Sequence, residues 1–148
     1  MEYPKYEEIT DKEKYLDSIK KNIVAILSVD SEEKHKKDLL DICIWHLTEI
    51  NGKYNTRYRS EGAMNKKNWS EVQHEHVFQR KKLILRLLEN NDVESVMRDA
   101  VACLVTKKEH QLLSSATKGT KIDGWERYKL AGIKVYDLQE KALFNGLS

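Results

Sequence analysis

One junction constrains this chain more than any other. Ala100-Val101-Ala102-Cys103-Leu104-Val105-Thr106 is an apolar run rich in β-branched residues, and Thr106-Lys107-Lys108-Glu109 follows with the spacing of a capping box. The run has the character of a strand. The box opens a helix, because the Thr106 hydroxyl and the Glu109 carboxylate can each satisfy an amide that a helix end leaves free. The sequence therefore predicts a strand over 100–106 that passes directly into a helix of about ten residues.

The rest of the chain reads as mostly helical. Its 148 residues fit one domain with a core of its own, and Pro4 is the only proline. Thr10-Asp11-Lys12-Glu13 has capping-box spacing, and Tyr15, Ile19, Ile23 and Ile26/Leu27 then recur at helical intervals. They predict an amphipathic helix over 12–28. A second helix is expected over 32–50, with Ser31 as its cap. Its later half, Leu39 to Leu47, is apolar on nearly every side, which predicts burial, with His46 a hydrogen-bonded core histidine. Further helices are expected over 79–88, 93–98 and 124–130, the last capped by Asp123, and a half-exposed strand over 133–138. Residues 62–70 read as a loop with Trp69 anchored in the core. The fold class that follows is α+β and mainly helical. An N-terminal helical hairpin, 11–51, packs on a small core of two or three short strands.

Composition excludes some classes. No run approaches the about 18 apolar residues of a membrane span, and the N-terminal residues lack the layout of a signal peptide. Cys43 and Cys103 both lie in apolar runs, as reduced core thiols do. A cytoplasmic protein is the expectation. The formal net charge of +2 conceals an asymmetry, since residues 53–86 carry nine Lys and Arg against three acids. Clustered cations of this kind suit phosphate, although a solvated lysine-rich face has the same composition. Within the block, Lys53, Tyr54, Arg57, Tyr58 and Arg59 interleave cations with rings, as a nucleic-acid contact surface would. Tyr54 and Tyr58, four apart, could equally pack one helical turn.

The chemistry-bearing residues fall inside and just beyond this block. Gln73-His74-Glu75-His76-Val77-Phe78 places two imidazoles and a carboxylate in four residues at the end of a short extended run, and His110 lies early in the helix after Thr106. Imidazole and carboxylate are ligands for a divalent cation, and a histidine poised near neutrality can take a proton from water. A closed zinc site built from His74, His76, Cys103 and His110 stays open, as does an arrangement with no metal.

Over residues 73–115 the order strand with His, connection, strand, helix with His resembles the ββα-metal core of HNH-type nucleases. Glu75-His76-Val77 resembles the family's acid-His-aliphatic step, and His110 resembles its second, helix-borne ligand. The resemblance implies that Glu75 and His110 hold a divalent metal (Mg²⁺, Mn²⁺ or Zn²⁺), with His74 as a further ligand or an orienting neighbour, and that His76 is the general base. It implies hydrolysis of phosphodiester bonds in DNA, or less readily RNA, with Arg57, Arg59, Arg80, Lys81 and Lys82 positioning the backbone. The family's central Asn has no clear counterpart here, and Cys pairs for a structural zinc are missing. The alternative class is a module without chemistry, such as an adaptor or inhibitor from a phage or mobile element. It would grip nucleic acid or a protein partner with segment 53–59.

Overall fold

The computed structural model describes residues 1–147. Six helices surround one five-stranded mixed sheet. Helices α1 (Lys12–Ser28) and α2 (Glu33–Thr48) form the expected hairpin. Strand β1 (Tyr58–Ser60), strand β2 (Val72–His76), helix α3 (Arg80–Asn90) and helix α4 (Val93–Asp99) follow. Strand β3 (Ala102–Thr106) then enters α5 (Lys107–Thr117) with no intervening residue. Helix α6 (Trp125–Ala131) and strands β4 (Val135–Asp137) and β5 (Ala142–Leu143) complete the order.

The sheet order is β2-β3-β1-β4-β5. Strands β2 and β3 pair antiparallel, β1 lies parallel to β3, and β4 runs antiparallel to both β1 and β5. The expected two or three strands are thus five, and the end of the cation-and-ring segment supplies a central one, where a contact surface or a helical turn was expected. Three residues, Tyr58-Arg59-Ser60, show no apolar alternation, so only their pairing with Cys103–Leu104 and Val135–Asp137 makes them a strand. Strand β4 does not close the sheet either, because β5 covers its outer edge.

Two large apolar clusters support this framework, beside a small third one of Ala63, Val72 and Leu104. Ile23, Leu40, Ile44, Leu47, Leu83, Leu87 and Val96 join α1 to α4 into a helical core. Val77, Cys103, Val105, Leu113, Tyr128 and Val135 join one sheet face to α5 and α6. Each fully buried Leu or Val stabilises the fold by about 1.5–3 kcal/mol. Phe78, just after β2, packs against both clusters and links them. Cys43 and Cys103 are free and buried. Among the described residues no helix is long and apolar enough to cross a membrane.

Several local expectations are corrected. The Thr10 box does not form: Asp11 is the cap residue, no side chain caps the helix, and the Lys12 amide donates to the Ile9 carbonyl in a backbone turn. Nor does Ser31 cap α2, which starts after Glu32, or Asp123 cap α6, which starts after Gly124. Helix α2 is amphipathic rather than enclosed, with Leu39, Ile42 and His46 on its exposed side. Trp69 is 45% exposed and stacks on Tyr54 instead of entering the core.

Candidate functional site

Strand β2 carries the chemistry, and its alternation decides which residues meet. Successive side chains of a strand point to opposite faces. Glu75 is in register with Cys103, and His74 with Leu104. Glu75 therefore faces α5 and α6, while His74 and His76 face α2. The four residues expected to share one site are divided by the sheet.

On the α5/α6 side, Glu75 Oε2 meets His110 Nδ1 across 35 residues of sequence. The direct passage of β3 into α5 makes this contact possible. The capping box at Thr106 and Glu109 forms in full. The Glu109 carboxylate also accepts from Ser60 Oγ at 2.5 Å and from the Gly62 amide at 3.1 Å, which pins the start of α5 to β1. A Cβ on Gly62 would lie 2.6 Å from Glu109 Oε1, so only glycine leaves the carboxylate this approach. Glu109 is thus fully used as a brace, and His110, the next residue, is held over Glu75.

The other oxygen of Glu75 belongs to Arg127. Both terminal nitrogens of Arg127 lie 3.3 Å from Glu75 Oε1, and the guanidinium also donates to the His76 and Val77 carbonyls at 2.7 Å. Arg127 is buried, and Asp123 Oδ1 stands 3.9 Å from its Nε. Asp123 in turn accepts the Gln79 amide at 3.0 Å, tying α6 to the chain leaving β2. Gly124 at φ 68° makes that turn, and a Cβ there would collide with the Phe78 ring. Sequence reasoning missed Arg127. The available signal was an arginine beside Tyr128 in a short apolar helix, but its partners lie fifty residues away.

On the opposite face His76 packs edge-on against Trp45 of α2, ring centroids 4.3 Å apart. Neither of its ring nitrogens has a hydrogen-bond partner. Burial, with positive neighbours His74, Arg80 and Arg127, lowers its pKa to about 3. So weak a base, with both nitrogens shut away from solvent, does not suit the general-base role expected of it. His74 stacks on Trp45, and its Nδ1 lies 2.6 Å from the Lys53 carbonyl oxygen. Burial lowers its pKa as well. Among the described residues no group of three or more His, Cys, Asp or Glu side chains converges to hold a metal ion. The four-residue zinc site including Cys103 is likewise not assembled.

The expected phosphate contacts are mostly engaged inside the protein. Arg57 forms a two-pronged pair with Asp137 at 2.9 and 2.7 Å, and its side chain is 35% exposed. Tyr58 is half-buried between Trp125 and Phe144. Arg59 is buried. Arg80 binds Asp41 at 2.8 Å and lies over the Trp45 ring. Lys82 reaches the Lys121 carbonyl oxygen at 3.2 Å. Lys53 and Lys81 are exposed, and the Lys53 ammonium lies over the Tyr54 ring.

What the arrangement offers chemically is a carboxylate oxygen and an imidazole nitrogen side by side, on a carboxylate fixed from behind by a buried guanidinium. The His110 side chain is 40% exposed, so the pair is open to solvent from the α5 side. Comparison with known proteins finds no matching family model, no similar curated protein and no similar solved structure.

Proposed function

We propose that the protein hydrolyses phosphodiester bonds in nucleic acid, DNA before RNA, at a centre formed by Glu75 and His110. One observation carries this: an antiparallel β2–β3 pair leads directly into α5, and the acid of the first strand meets the histidine of the helix. That is the meeting a ββα-metal centre needs, and it arises from residues singled out for it by motif alone.

The donor set, one imidazole and one carboxylate, fits Mn²⁺ or Zn²⁺ better than Mg²⁺, whose ligands are oxygens. A catalytic ion keeps open positions that waters and substrate phosphate oxygens fill, whereas structural zinc takes four protein ligands. Glu75 and His110 would hold the ion, and His74 takes no part. When bound, such a cation lowers the pKa of a water and stabilises charge on the leaving oxygen.

The chain's own residues then have separable tasks. Arg127 keeps one carboxylate oxygen of Glu75 occupied and so turns the other toward His110. Glu109 sets the pitch of α5 and hence the placement of His110. Lys107 and Lys108, exposed in the first turn of α5, are placed to attract the phosphate backbone.

The test is cleavage of plasmid and single-stranded DNA with Mg²⁺, Mn²⁺ or Zn²⁺ added in turn, alongside Glu75→Gln and His110→Ala variants whose melting is checked. Cleavage with Mn²⁺ or Zn²⁺ should cease with chelator and fall at least about 100-fold in either variant, more than a supporting residue normally accounts for. The His110 NMR signal should shift on adding the same ion. If no ion moves that signal and DNA stays intact with all three, the proposal fails.

A further inference from the structure

A separate cleft of about 830 Å³ lies on the sheet face away from Glu75. Its walls come from the N-terminal stretch, the segment after β1 and Trp69. Such a volume is ample for a small organic ligand. At its base is Arg59 of β1, 5% exposed, in register with Leu104 and so on the His74 side of the sheet. Arg59 forms no ion pair or side-chain hydrogen bond with any described residue, and its buried Nε has no partner. Its guanidinium lies 5.7 Å from the centre of the Trp69 ring. A buried arginine normally faces a carboxylate, since an unpaired charge withdrawn from water is costly.

The rest of the lining shows what would complete it. Lys5, Lys66 and Lys67 also line the cleft, Lys66 with its ammonium 4.0 Å from Glu71, while Glu2 and Glu61, both exposed, are the acids of the lining. Trp69 is 45% exposed, and Tyr54 stacks parallel to its ring at 4.9 Å. Met64 and Tyr3 supply apolar wall. A bare inorganic anion would satisfy Arg59 and leave this aromatic and apolar surface unused. A ligand with an anion at one end and a planar ring at the other satisfies both, and a nucleotide has that form.

We infer that this cleft binds a nucleotide unit, its phosphate on Arg59 with Lys66 and Lys67 and its base against Trp69. The unit is either a free nucleotide or one residue of a single strand, and the same contacts serve both. The site stands apart from the Glu75–His110 centre and does not depend on it.

Calorimetric titration of the intact protein with AMP, with an oligothymidylate of about ten nucleotides and with inorganic phosphate tests this. AMP binding alongside the oligomer identifies a nucleotide pocket; binding of the oligomer alone identifies a strand site; either supports the assignment. Arg59→Met and Trp69→Ala should each weaken that binding tenfold or more. His110→Ala should leave it unchanged even where cleavage is lost. Arg59→Met should also raise the melting temperature of the ligand-free protein, whereas a merely structural arginine would lower it. The assignment is overturned if neither AMP nor the oligomer binds at millimolar concentration, if inorganic phosphate binds as tightly as AMP, or if Arg59→Met binds like wild type.

Discussion

The two faces of the sheet treat their buried arginines in opposite ways. Toward α5 and α6, the carboxylates of Glu75 and Glu109 and the guanidinium of Arg127 are joined by hydrogen bonds to one another's elements, and the Tyr128 hydroxyl is the one buried side-chain polar atom there without a partner among the described residues. On the other face, Arg59 Nε and both ring nitrogens of His76 are buried without partners. Arg127 and Arg59 are each 5% exposed, yet one guanidinium holds a carboxylate and two carbonyls and the other holds none. Burial alone therefore does not tell a brace from a binding group. The count of satisfied donors does, because a buried polar group left unpaired costs free energy that a paired one does not.

Removing the brace should have the largest effect. Arg127→Met leaves Glu75 with an uncompensated carboxylate and two carbonyls without donors, and should destabilise the fold by about 3–5 kcal/mol in urea unfolding. An unchanged midpoint would show that Arg127 does not hold this face together. Arg59→Met should move stability the other way and by less, so the two methionine variants sharpen the contrast most directly.

His76 gives a smaller, pH-dependent contrast. Its folded pKa of about 3 lies below the ordinary value of 6.5, so the unfolded chain takes up a proton that the folded protein refuses. The stability this neutral imidazole allows is complete above pH 6.5 and is lost as pH falls toward 3. Melting temperature measured from pH 7 to pH 5 should therefore fall more steeply in the wild type than in His76→Phe, which keeps a ring against Trp45. His74 is shifted in the same direction and leaves a residual slope in the variant. Parallel curves would mean that His76 takes up its proton equally in both states.

The sequence made the β3–α5 junction legible because every signal there is local: β-branched residues, a Thr at the cap and a Glu three residues on. The Glu75–His110 pairing was legible by motif, since residue type and order survive in the sequence. The partition of His74 and His76 from Glu75 follows from strand alternation, but its meaning depends on α2 lying on one side and α6 on the other. Arg127 and Arg59 could not be told apart in advance. Each is one arginine among many, and what distinguishes them is a set of partners brought in by tertiary packing. The pairing of Arg57 with Asp137 was not legible for the same reason, because Asp137 lies 80 residues further along.

The sheet order also sets a timetable for synthesis. Strand β1 precedes its neighbours, residues 102–106 and 135–137, so it waits unpaired until those segments have been made. The α1–α2 hairpin can settle meanwhile, being built from neighbouring segments. Glu75, His110 and Arg127 reach one another only after α6 has emerged. The buried pair that fixes Glu75 is therefore a late event, closed only once residues up to 131 have been made.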